Sequence, residues 1–291
     1  MRVFRAPLPQ RALDALRKVR AECARSVRRA SAALRLPRVP RAVRITLICL
    51  PGLAAVAALV LWAVGGDGTP SGAPRAVATR DVPEHRAARP AIVPRDRWLG
   101  DGGYQRPPAR YADRVHAVFV HHTNSPNDYD CADTPRIIRS LYVGQAGARR
   151  WDDIGYNFVV DRCGRIYEGR AGGIERAVVG AHTQGFNVGS TGIAALGTFT
   201  DGVPVPQAMT DAIAAVAAWK LGLSDIDPRA PVRMVSTNSM SKYAAGTTAT
   251  FLAVSGHADG FHTACPGAAL TARLPAIRER AARLQGRPRS P

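Results

Sequence analysis

Residues 115–123 read VHAVFVHHT. Four of the first six side chains are β-branched or aromatic, so the run predicts a buried strand over residues 115–120 that delivers His121, His122 and Thr123 to its C-terminal end. Neighbours on a strand face opposite ways, so the two imidazoles have different surroundings, and His122 is read as structural.

Outward from this strand the pattern stays globular. Thr134 is a candidate N-cap with Pro135 at the first helical position, opening a helix through Ile137, Ile138 and Leu141. Residues 156–160 and 165–168 read as two strands joined by a turn at Cys163–Gly164, and residues 192–196 (GIAAL) as another buried strand. Met209, Ile213, Val216 and Ala217 recur at helical spacing, predicting an amphipathic helix over 206–221. A strand over 249–254 and an Arg-rich amphipathic helix over 268–284 complete the pattern. Strands interleaved with helices make an α/β domain around a central sheet.

Hydrophobic residues make up 46% of the 291 and charged residues 21%, ordinary for a globular chain. The net charge of +18 is unevenly spread: residues 1–44 carry thirteen Arg or Lys against Asp14 and Glu22, a net +11, leaving +7 for the rest. A basic excess concentrated ahead of an apolar run points to a membrane, and its confinement there argues against nucleic acid. The run is residues 45–64, ITLICLPGLAAVAALVLWAV, without a charge. About 20 apolar residues suffice to span the hydrocarbon core. The expectation is an uncleaved transmembrane anchor, with a cleaved signal sequence and secretion as the alternative and a buried core helix as a poorer one. The positive-inside rule keeps 1–44 cytoplasmic and sends the remainder out. Residues 65–88, rich in Pro, Gly and Ala, read as a flexible linker, residues 89–287 as the folded domain, and 288–291 as a disordered tail. Cys131, Cys163 and Cys265 fall in the exported part, where an odd count leaves one thiol for another task.

Three clusters carry chemistry: His121–His122–Thr123, Tyr156 in DIGYNF, and residues 255–267, SGHADGFHTACPG, with His257, Thr263 and Cys265. Two imidazoles and a thiolate suit zinc, and three protein ligands leave a fourth position open, as a catalytic zinc requires. The seven residues between His257 and Cys265 match no short zinc-finger spacing.

The blocks VHAVFVHHT, WDDIGYNFVVDRCGRIYEGRAGG (151–173), VVGAHTQGFNVGSTGIAALG (178–197) and SGHADGFHTACPG resemble, in order and interval, the peptidoglycan recognition protein and type 2 N-acetylmuramoyl-L-alanine amidase family. The likeness runs from about residue 89 to 287. Its Arg-for-Lys bias and the longer segment around 242–251 resemble the actinobacterial branch. The resemblance implies a central mixed β-sheet flanked by helices, zinc held by His121, His257 and Cys265, and Tyr156 and Thr263 as catalytic residues beside the metal. It places His182 near the substrate groove as a non-ligand, and likens Cys131 and Cys163 to a disulfide of the actinobacterial branch. The implied activity is hydrolysis of the amide between N-acetylmuramic acid and L-alanine in peptidoglycan. The competing expectation is a module that binds the polymer without cutting it. A monomer is the default for one self-contained domain. Related sequences usually read GHRDG where this chain has GHADG, so Ala258 removes an expected partner for Asp259. His262 has no implied role.

Overall fold

The computed structural model describes residues 84–289. The basic tail 1–44, the apolar segment 45–64, most of the 65–88 linker and residues 290–291 lie outside the described residues. Among the described residues no helix is long and apolar enough to cross a membrane.

In chain order the elements begin with β1 (Ile92–Val93), α1 (Asp96–Leu99), β2 (Ala117–His122) and α2 (Thr134–Tyr142). Three strands follow, β3 (Phe158–Val160), β4 (Ile166–Glu168) and β5 (Ser190–Ala195), then the long helix α3 (Gln207–Gly222). Next come β6 (Pro231–Val235), β7 (Thr248–Leu252), β8 (Val254–Gly256), α4 (His257–Gly260), α5 (Ala268–Thr271) and α6 (Leu274–Leu284).

Six strands form one mixed sheet in the order β1-β4-β3-β5-β2-β8, in which β3 and β4 pair antiparallel and every other pair is parallel. Strands β6 and β7 form a separate hairpin. Period-two alternation divides the side chains between two layers. Val118, Val120, Phe158, Val160, Ile193 and Ala195 pack against α3, α6 and their neighbours. On the other face, Val159, Tyr167 and Leu196 meet Trp98, Ile138 and Tyr142, while Ala117 and Phe119 meet Phe186, Met234 and Phe251.

Several expected elements shift. The first strand runs to His122 instead of ending at Val120, because β5 continues to pair with it through His121↔Ala194 and His122↔Ala195. The expected strand over 249–254 is two strands in two sheets. The chain crosses at Ala253, whose N–H donates to Ala230 O and whose carbonyl accepts from Val118 N–H. Thr134 does not cap α2: it lies inside the helix, and its hydroxyl donates to Asp161 Oδ2 at 3.1 Å. Helix α3 is not amphipathic but buried on nearly every side, since the sheet covers one face and α6 another. Even Lys220 is 2% exposed, its ammonium donating to the carbonyls of Ile174 (2.8 Å) and Arg176 (3.0 Å). Burial lowers its pKa to about 8. The expected helix over 268–284 breaks at 272–273 into α5 and α6. The fold reaches back before residue 89, with Ala87 packed on the core and His85 bonded to Asp225 at 3.1 Å. At the other end, Arg229 donates to the carbonyl of Pro288.

Cys131 and Cys163 form a disulfide with Cα atoms 6.3 Å apart, tying the start of α2 to the β3–β4 turn. Gly164 sits in that turn at φ 82°, where a Cβ would meet Ala208 O at 2.8 Å.

Two measurements follow. Non-reducing peptide mapping should recover Cys131 and Cys163 linked and Cys265 free, and Cys131→Ser should lower unfolding stability by about 2–4 kcal/mol in chemical denaturation. Arg95, buried with Asp153 at 2.6 Å, makes a second test: Arg95→Met leaves that carboxylate with the more distant Arg106, at 4.0 Å, and should cost about 3 kcal/mol.

Candidate metal centre

The register of β2 against β8 builds the centre. Val120 pairs with Gly256, so the next residue of each chain, His121 and His257, emerge side by side at the same rim of the sheet. Their rings lie 4.4 Å apart between centroids. His257 opens α4, where Asp259 Oδ2 accepts the Gly256 N–H at 2.8 Å, and its ring stacks on Phe261 at 5.4 Å. The chain then returns Cys265 to the same place, held by Ala258 N–H donating to Cys265 O at 2.8 Å. Gly267 closes the loop at φ 92°, where any Cβ would collide with the backbone of Phe199.

Cys265 Sγ accepts the His122 N–H at 3.2 Å and stands 3.9 Å from His121 Nδ1. One donor atom each from His121, His257 and Cys265 falls within a 4.8 Å cluster. Tetrahedral zinc with ordinary Zn–N and Zn–S bonds separates such atoms by about 3.5 Å. The donor types and spacing fit that ion. The second cluster of this kind, Cys131, Asp161 and Cys163, is the disulfide.

Burial sets the charge states. His121, 1% exposed, is held well below the usual imidazole pKa by burial, with His257, His182 and His122 adding repulsion. His257 falls to about 4 through burial and then His122. Burial pushes the Cys265 thiol up to about 12, against the pull of the His122 N–H. A cation brought to this spot would reverse that preference and favour the thiolate.

Tyr156 places its ring 5.4 Å from that of His121, and burial followed by Cys265 raises its pKa to about 12, so its hydroxyl stays protonated. Its loop is pinned on both sides. Asp153 takes Arg95 and the N–H groups of Ile154 and Ala171, and Asn157 bridges Val178 O and Gly192 N–H. Thr263 is exposed and accepts the Cys265 N–H at 3.2 Å. His122 is half-buried, with its Nδ1 lacking a hydrogen-bond partner among the described residues. His182, expected beside the groove, lies 6% exposed against His121, with His182 Nδ1 3.2 Å from His121 Nε2. Asp259 is already used by the Gly256 N–H and lies close enough to Arg278 to attract it, so an arginine at 258 is not needed to partner it. Sequence reading missed Thr183, Asn157, Asp153 and Arg95. Asp153, Asn157 and Thr183 stand inside the stretches that carry the resemblance but have no motif of their own, and Arg95 lies outside all of them.

A family model described as N-acetylmuramoyl-L-alanine amidase (Amidase_2) matches residues 111–268, more than half of the chain. The human N-acetylmuramoyl-L-alanine amidase is 33% identical over 196 residues, covering 66% of this chain and 29% of that protein. Peptidoglycan-recognition protein LE of Drosophila melanogaster is 36% identical over 124 residues, 41% of this chain and 33% of that protein. Among solved structures, Drosophila PGRP-LB matches at 25% identity and TM-score 0.48, over 63% of this chain and 92% of that one. The chain thus spans about a third or less of the length of these two curated relatives.

The buried imidazoles predict an acid-sensitive metal-free protein. Unfolded, His121, His182 and His257 titrate near the ordinary imidazole value of about 6.5, whereas folded His257 stays neutral to about 4 and His182 to about 3. The unfolded state therefore binds more protons in this window, and stability should fall as pH drops from 6.5. Each of these histidines contributes up to about 1.4 kcal/mol per pH unit. Urea denaturation of the metal-free chain between pH 6.5 and 5, above the carboxylate range, measures the slope; a flat profile would contradict the assignment.

Proposed function

The chain belongs to the N-acetylmuramoyl-L-alanine amidase (Amidase_2) family, and from that premise we propose that it is a zinc-dependent hydrolase. Its substrate is the amide between N-acetylmuramic acid and L-alanine in bacterial peptidoglycan. The observation that carries this reading is the convergence of His121, His257 and Cys265 at one rim of the sheet, with Tyr156 beside them.

Zinc, when bound, would supply Lewis acidity toward the scissile carbonyl and lower the pKa of water at the open position. The chain's own groups act around that chemistry. His121, His257 and Cys265 would hold the ion. The Tyr156 hydroxyl, kept protonated by burial, donates to the carbonyl oxygen where negative charge grows. The Thr263 hydroxyl accepts from the Cys265 N–H, which leaves its own proton for the same oxygen. Asn157 and Asp153 keep the tyrosine loop from moving as charge develops.

The finer assignments belong to the same proposal. The anchor is the 45–64 segment, and the domain works outside the membrane as a monomer on muramyl peptides. The Cys131–Cys163 disulfide supports export, since such bonds persist in oxidising compartments. The arginine bias and that cysteine pair support an actinobacterial branch.

Digestion of purified peptidoglycan, with and without added zinc, tests the reading. Zinc-dependent release of stem peptides with a new L-alanine amino terminus is expected, and Cys265→Ala should abolish it. Tyr156→Phe should lower kcat about 100-fold with zinc content unchanged, the cost of one lost oxyanion donor. Retention of the polymer without release would favour a binding module instead.

A further inference from the structure

The two nitrogens of His121 face different neighbours. Nδ1 is turned to Cys265 Sγ at 3.9 Å, whereas Nε2 lies 3.2 Å from His182 Nδ1 and 3.3 Å from Thr183 Oγ1. The Thr183 hydroxyl is itself 3.1 Å from His182 Nδ1. An imidazole that offers Nδ1 to a metal must carry its proton on Nε2, and that proton needs an acceptor on the buried side.

We propose that Thr183 and His182 are positioning residues that fix His121 as the Nε2–H tautomer and thereby aim its Nδ1 at the metal. The proposal rests on reading His121, His257 and Cys265 as ligands, not on amide hydrolysis. One arrangement pairs the facing atoms of all three groups: His121 Nε2–H donates to Thr183 Oγ1, and the Thr183 hydroxyl donates to His182 Nδ1. Direct donation from His121 to His182 Nδ1 makes the same demand. In both, His182 accepts at Nδ1 and carries its proton on Nε2. His182 Nε2 is a buried atom with no hydrogen-bond partner among the described residues. An unpaired donor at that position follows from committing the other nitrogen to the Thr183–His121 pair.

The surroundings hold His182 in this role. Asn187 Oδ1 accepts both the His182 N–H (2.8 Å) and the Thr183 N–H (2.9 Å), fixing the backbone that presents them. Gly180 and Gly192 make the space: a Cβ at either would run into the His182 ring. The His121 and His182 rings meet edge-on with centroids 5.1 Å apart, and Phe119 lies 6.4 Å from His182. The pair sits in a slot built from two strands and one loop, closed to solvent. That placement excludes contact with a polymeric substrate and leaves action through His121.

Zinc affinity of the full chain, measured by competition with a chromogenic chelator, tests this, with the visible spectrum of the cobalt(II) form as a second readout. His182→Leu with Thr183→Val removes both acceptors and should weaken zinc binding about 10–100-fold and perturb the cobalt spectrum. His182→Asn places a carboxamide oxygen where Nδ1 was, and should restore most of the affinity on the Thr183 background. Thr183→Val alone keeps the volume and should cost severalfold, serving where the double variant does not fold. Unchanged affinity in the folded double variant or in Thr183→Val would overturn the proposal, as would equal losses in His182→Asn and His182→Leu, which indicate packing alone. Wild-type protein that binds zinc but leaves peptidoglycan intact would sink the hydrolase reading and leave this one standing. Wild-type protein that binds no zinc would sink both.

Discussion

The parallel pairing of β2 with β8 is the constraint from which the rest of the centre follows. Because Val120 stands opposite Gly256, the residues that leave the two strands next are His121 and His257. A slip of one residue would set Gly256 or Ala258 against His121 and turn one imidazole to the opposite layer. Register is held by side chains buried on both faces, with Val118, Val120 and Val254 in one cluster and Ala117 and Phe119 in another. The third donor comes from outside the sheet, yet it too is placed by backbone: Ala258 N–H bonds the Cys265 carbonyl, and His122 N–H bonds its sulfur. Main-chain geometry, not side-chain adjustment, brings the three donors together.

The same geometry has an electrostatic consequence. Packing two imidazoles, a third behind them and a thiol into a dry corner of the fold favours the neutral form of each. That suits imidazole, which ligates as the free base, and opposes the thiol, which ligates as the anion. The His122 N–H on the sulfur is a fixed dipole that already favours the thiolate. Fold stability and readiness for a cation are thereby linked, since the groups that make the site are those that acid would charge.

Much of the architecture was legible from short patterns. The strands near 117–122, 158–160, 166–168 and 190–195 were marked by short apolar runs and a turn at Cys163–Gly164, because local composition and local structure agree there. Reading failed where tertiary context decides. Nothing in residues 249–254 says that Ala253 changes sheets, since the switch is made by a bond to Ala230. Nothing in α3 says that its far side is covered, since the cover comes from a helix more than fifty residues on. The same holds for the centre. Histidines and a cysteine beside strand ends can be suspected from sequence, as can a tyrosine in a glycine-flanked block. Thr183 behind His121, or Arg95 beneath the tyrosine loop, is a neighbour only in space.

Arg95 also bears on what the tyrosine loop is built for. A buried Arg–Asp pair such as Arg95–Asp153 is seldom more stabilising than apolar residues of equal volume, because both charges lose their water. Its value here is geometric. Asp153 receives the guanidinium and two backbone N–H groups, and Arg95 also donates to the carbonyl of Gly169 while lying over the rings of Trp98 and Tyr142. These bonds fix the chain two and three residues before Tyr156 and one and three residues beyond Glu168. Asn157 fixes it immediately after. The role proposed for the Tyr156 hydroxyl, donating to developing charge, requires it to be already in place, since reorientation during the reaction would consume the interaction it offers. A loop clamped on both sides of one partly buried tyrosine is the arrangement that this requirement predicts.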